Sequence, residues 1–285
     1  MHTRRLSAAA ACVLLAGLAG TGAGEQSPPA SPAADNKAGK LPETPSQLFA
    51  AVAKDARPQW RPYFRETVPH AATDRYKAAL ALGAVAADCF LAAEVRDVQQ
   101  VRNLLTDMAP LEMMLSINRQ MGPLRQKVTD LAADGDWQAV RAEIASLMAH
   151  HAKFFGEQKD GHLAELERIG CWLRAFHVSA RFSSKLPAPP AQPCIWSPAL
   201  LTDLLSRASK LNAATDSKTL QSLTDGLNTL TKTWSGETTK GNAAARLATS
   251  LPLLEAMEAE LINDESRSEP PKPDKPPLPG PANPE

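Results

Sequence analysis

Residues 78–93 read AALALGAVAADCFLAA, and this stretch decides the fold. From Ala78 to Ala93 every residue except Asp88 is apolar or glycine. A surface helix keeps a polar face, so a segment that is apolar all round must be enclosed by other elements. The abundant alanine makes it a helix rather than a strand. It is expected to start near Asp74 and to end near Val95. With one acid and an apolar run shorter than the ~20 residues of a membrane span, the segment is expected to be the central helix of a water-soluble bundle. Gly83 and its alanine neighbours should let adjoining helices approach closely.

Working outward, Thr44-Pro45-Ser46-Gln47 combines a capping residue with Pro at the first helical position, and opens a helix to about Ala56. Arg57 to Pro69 is broken by prolines and carries Trp60, Tyr63 and Phe64, expected to cover an end of the bundle. Asp97 to about Ser116 places Val101, Leu104, Leu105, Met108 and Leu115 at helical spacing, with a kink at Pro110. Gly122-Pro123 is read as a turn, followed by a short helix that ends at Asp134-Gly135. Asp136 caps a helix with Trp137, Val140, Ile144, Leu147, His151 and Phe154 in one stripe. After Gly156 to Gly161 comes another, with Leu163, Leu166, Ile169, Leu173 and Phe176 on one face, running to about Phe182. Helices over 197–211, 217–234 and 239–263 follow, the first opened by Ser197-Pro198. No run alternates like a strand, and no internal repeat stands out. The expected class is all-α: an irregular helical bundle around a buried central helix, with a smaller C-terminal helical block.

The domain plan follows from composition. Arg4 and Arg5, the apolar stretch Leu6–Leu18 and the small residues Ala19–Gly24 have the form of a cleavable export signal, residues 1–24. Cys12 lies inside the apolar stretch rather than at its end, which argues against a lipid anchor there. Residues 25–43, rich in Pro, Ala and Ser, read as a flexible linker. Residues 44–184 form the main bundle and 185–196 a proline-rich connection. Residues 197–263 form the C-terminal block, expected to pack on the bundle because three such helices alone make a thin core. Residues 264–285 form a proline-dense tail. The expected location is therefore periplasmic or secreted, with no transmembrane span after signal cleavage.

Charge excludes one class of partner. Lys plus Arg and Asp plus Glu number 31 each, so nothing favours nucleic acid. No nucleophile motif of the G-x-S-x-G type occurs. Gly236 to Gly241 superficially resembles a phosphate loop, but Lys240 precedes its second glycine and no strand leads into it.

A few residues invite chemistry. Asp88, a carboxylate in an apolar helix, needs a partner or loses its charge; Arg75, Arg96, Arg141 and Arg174 are within reach in sequence terms. It is either a buried ion pair that fixes helix register or an acid in a ligand pocket. Trp172 and Arg174, beside Gly170 and Cys171, are the other candidate ligand-binding residues. His151 and His177 fall on or beside apolar stripes of successive helices, and two facing imidazoles can hold a metal or a haem iron. Met108 and Met148 would suit Cu(I), although neither Glu-x-x-His nor H-E-x-x-H occurs. Of the cysteines beyond the signal, Cys171 and Cys194 form the favoured disulfide, with burial as small apolar residues the alternative.

These observations lead to an exported, non-catalytic binding or scaffold protein of the cell envelope. No cofactor is expected, and the partner is an envelope protein or an apolar small molecule. A His/Met metal- or haem-binding bundle is the alternative, and an enzyme centred on Asp88 the next.

Overall fold

In a computed structural model, residues 44–56, 59–65, 74–186, 197–235 and 243–261 can be described. Of these residues, 88% are helical, in nine α-helices with no strand. They are α1 (Pro45–Ala56), α2 (Arg75–Val95), α3 (Val98–Met114), α4 (Asn118–Asp134), α5 (Trp137–Glu157), α6 (Gly161–Ser183), α7 (Pro198–Ala214), α8 (Lys218–Ser235) and α9 (Ala243–Leu261), with a 3-10 turn at Arg61–Tyr63. The class is all-α, as the apolar patterning indicates. The export signal, the linker at 25–43, Cys194 and the Gly236–Gly241 loop lie outside the described residues.

Capping residues place the helix starts. Asp74 accepts a hydrogen bond from the Tyr76 amide, Asp97 from Gln100, Asp136 from Ala139 and Ser197 from Leu200. Each satisfies an amide that has no partner within its helix, typically worth about 1 kcal/mol. Gly135 ends α4 with φ +77°, a conformation that costs glycine little. Gly122-Pro123 does not make a turn; α4 runs through it. The chain turns earlier, where Ser116 takes φ +64° and the flanking Leu115 and Ile117 are fully buried. Burial of these two side chains fixes the reversal before Pro123 is reached.

From Ala78 through Ala93 every residue of α2 is buried, Asp88 included. At 21 residues the helix is in fact long and apolar enough to cross a membrane. Its enclosure, not its length, sets it apart from a span: 89% of the apolar window is covered by other helices. Burial of Leu80, Leu82, Phe90 and Leu91 contributes on the order of 2 kcal/mol each.

The main neighbour of α2 is α6, which runs beside it in the same direction. Tyr76 stacks edge-on against His162, Gly83 lies against Glu167 and Cys171, and Asp88 bonds Arg174. A Cβ placed on Gly83 would stand 1.8 Å from the Glu167 carbonyl oxygen, and one on Gly170 2.0 Å from that of Leu80. The two backbones are thus in direct contact, one glycine from each helix making room for the other. From Ile169 through Ala180 α6 is also buried on every side, where its pattern suggested a single apolar face.

The other helices wrap this pair, except α4, which packs outside on α3 and α5. Trp60 packs on Phe49 and Phe182, with Tyr63 alongside, and closes the end where α1 meets α6. Helices α7 and α9 lie on α6, and α8 reaches α2 through a hydrogen bond from Thr219 to Asp74. Gly226 of α8 gives space to the Met257 side chain of α9, and Trp234 donates its indole N–H to Ser250.

Candidate functional site

Helix α6 carries two buried polar clusters, one on each half. In the C-terminal half, Asp88 sits between two guanidinium groups. Arg174 Nε donates to Oδ1 at 2.7 Å, and Arg65 Nε to Oδ2 at 2.7 Å. Arg174 also donates to the Tyr63 carbonyl at 2.7 Å and to Glu258 of α9 at 3.3 Å. Glu258 lies 2.9 Å from His177 Nδ1. Burial alone would raise the carboxyl pKa of Glu258. The Arg174 charge and the His177 contact outweigh it, with Arg65 adding to them, and hold it at about 2. Burial, the largest single influence on Arg174, favours loss of its proton, but Asp88 and Glu258 together shift its pKa upward. The cluster binds α2, α6, α9 and the 59–65 segment to one another. Asp88 is 1% exposed and Arg174 2%, so each faces the other's charge rather than solvent.

In the N-terminal half, His151 of α5 lies between two carboxylates. Nδ1 is 2.7 Å from Glu167 Oε1, and Nε2 is 3.4 Å from Glu112 Oε1 of α3. Glu112 also pairs with Arg125 of α4, whose pKa burial lowers. This cluster joins four helices, and His151 and Glu112 are fully buried.

The two histidines do not face each other. His151 meets α6 at Glu167, ten residues before His177, which is roughly 15 Å of helix. Each imidazole is engaged by carboxylates of its own cluster. No group of three His, Cys, Asp or Glu side chains suited to a metal ion occurs among the described residues. His150 donates to the Ser146 carbonyl of its own helix. Cys89 and Cys171 are buried free thiols, and burial, aided by nearby carboxylates, pushes both pKa values well up. Cys194, the partner expected for Cys171, is outside the described residues.

Trp172 belongs to neither cluster. It lies 5.9 Å from Phe176 and lines an open groove of about 500 Å³. The walls come from Thr44 and Pro45 at the start of α1, from Ala145, Met148, Ala149 and Ala152 of α5, and from Ala164 to Trp172 of α6, with Phe90 of α2 beneath. The small α5 side chains create the space; larger residues there would fill it. Glu165 and Arg168 on the rim are tied to α7, Glu165 by Arg207 at 2.7 Å and Arg168 by Asp203 at 3.6 Å. Glu167 also lines the groove, with one oxygen held by His151 behind it. A depression of similar size, about 530 Å³, lies over the α7–α8 connection, but apart from Ala213 and Ala214 its lining from Asn212 to Lys218, with Gln221, is polar.

Arg65, Glu112, Glu167 and Glu258 are absent from the sequence-derived candidates. Three of them had a readable signal. Glu112 follows Met108 by four positions, Glu167 follows Leu163 and Glu258 follows Leu254, so each acid sits on an apolar stripe. Arg65 lies in the proline-broken segment and has no such periodicity. Comparison with protein-family models, curated proteins and solved structures finds no match, so the functional reading rests on this geometry.

Proposed function

We propose that the chain is an exported, non-catalytic helical binding module that holds a small molecule with an apolar body in the groove between α1, α5 and α6. The groove itself carries this reading. Its volume of about 500 Å³ falls within the range of small-molecule sites. Phe90, Met148 and Trp172 give it apolar walls. Export is supported by Arg4-Arg5, the apolar run Leu6–Leu18 and the small residues that follow. The non-catalytic part is supported by the buried charges. Asp88, Arg174 and Glu258 hold one another, away from the groove, and the thiol of Cys171 is far from ionisation.

The test follows the Met148 methyl group by carbon-13 NMR of the mature protein while 3-phenylpropan-1-ol and 3-phenylpropan-1-amine are titrated in. Saturable one-to-one shifts with at least one probe, abolished by Ala149→Trp, are expected. Ala149 is exposed, so the bulky substitute should occupy the groove without disturbing the core. If neither probe moves the Met148 resonance, the reading is wrong.

A further inference from the structure

Which end of a ligand would face inward is decided by Glu167. This residue is 2% exposed yet lines the groove. Its Oε1 is held by His151 at 2.7 Å. No hydrogen bond to its Oε2 occurs among the described residues, nor is that atom among the fully sealed, unpartnered ones. Charges at the rim cancel: Glu165 pairs with Arg207, which also holds Asp203, and Asp203 with Arg168. Behind Glu167, Glu112 is paired with Arg125. A carboxylate oxygen open to an apolar groove, on a side chain fixed from the rear, accepts a hydrogen bond and attracts positive charge. It donates nothing.

Resting on the groove as a ligand site, the geometry points to a specific ligand class: a small primary amine with an apolar body of about one ring, its ammonium bonded to Glu167 Oε2 and its body against Trp172, Phe90 and Met148. Several features favour the ammonium over other head groups. It donates up to three hydrogen bonds and meets an acceptor-only partner. A charge-assisted bond is about twice as strong as a neutral one. A carboxylate head in the same place would meet like charge and leave Glu167 without a donor. The buried partners that fix Glu167 also explain an otherwise costly arrangement, since His151 holds one oxygen in place and leaves the other available.

The test is a matched series on the mature full chain: 3-phenylpropan-1-amine, 3-phenylpropan-1-ol and 3-phenylpropanoate, each titrated against the Met148 methyl signal. The amine is expected to bind about tenfold more tightly than the alcohol and the acid more weakly than either. Glu167→Gln keeps the volume and a hydrogen-bond acceptor but removes the charge, and should reduce the amine's advantage to less than twofold, with circular dichroism verifying that the variant is folded. If that variant does not fold, a shift of the amine's bound-state nitrogen-15 resonance on binding to the unaltered chain serves instead, and its absence overturns the assignment. Equal binding of amine and alcohol, or tighter binding of the acid, overturns the amine assignment and leaves the groove reading intact. No binding of any member removes both.

Discussion

Helices α2 and α6 lie side by side, are buried on all sides over long stretches and reach that state by opposite routes. In α2 the buried run is apolar apart from Asp88. In α6 the buried run includes Arg174, His177 and Ser179, with Glu167 just before it and Ser183 just after. An apolar helix is enclosed because water rejects it. A polar one can be enclosed only where each charge finds a partner, since an unpaired buried charge costs several kcal/mol. Asp88 and Arg174 are where the two routes meet: the single acid of α2 is held by the arginine of α6. Full burial therefore follows from a helix's own composition in one case and from its neighbours' side chains in the other.

The largest expected effect breaks that junction. Asp88→Ala should leave the Arg174 and Arg65 guanidinium groups facing each other without their shared counter-ion. The expected loss is roughly 3–5 kcal/mol of unfolding free energy, measured by urea denaturation. A loss under 1 kcal/mol would mean that α6 is enclosed for some reason other than charge pairing.

Acid titration comes next in size. Glu258 has a folded pKa of about 2 against an ordinary 4.5. The folded state therefore binds this proton less readily than the unfolded one, and the contribution is complete above pH ~4.5. It declines as pH falls through that value and is lost near pH 2, for roughly 3 kcal/mol in all. Urea midpoints of the parent chain and of Glu258→Gln between pH 2 and 6 measure it. The parent's midpoint should fall with acid more steeply than the variant's, and parallel curves would show that α9 adds no charge to the α6 cluster.

The smallest effect separates close backbone contact from simple helix composition. Gly83→Ala forces a methyl group against the Glu167 carbonyl and should cost about 1–3 kcal/mol, even after alanine's better helix propensity. Gly156→Ala, in the last turn of α5 with nothing within 4 Å of the added atom, should instead gain up to about 1 kcal/mol. Thermal melts of the two variants should move in opposite directions. A shift of the same sign would show that the α2–α6 contact is looser than its geometry.

Much of the fold was legible because its signals are local. Asp74, Asp97, Asp136 and Ser197 marked helix starts that the structure places within a residue, and Gly135 marked an end. The continuation of α4 through Gly122-Pro123 has a physical cause: burial of Leu115 and Ile117 on either side of Ser116 outweighs the local cost of proline in a helix. Less of the site was legible. Asp88 and Arg174 were among the expected pairs, but Arg65 was not, because nothing in a proline-broken segment says which way its side chain reaches. His151 and His177 were each expected to face inward, and both are buried. That they sit in separate clusters depends on where α5 meets α6 along its length. Of the groove, Trp172 was readable as a ligand-binding candidate, but nothing in the sequence marked the space beside it. It exists because Ala145, Ala149 and Ala152 face α6, and alanine at those positions reads equally well as ordinary helix.

The order of amino acids alone determined that this chain forms helices, where most of them begin, and that residues 78–93 must be kept from water, because capping and hydrophobicity act over a few residues. Tertiary structure alone decided that α6 shares the centre with α2, which acids meet which bases, and that a carboxylate lines a groove. Pairing and cavities arise between segments far apart in the chain, and their energies depend on distances that no single segment sets.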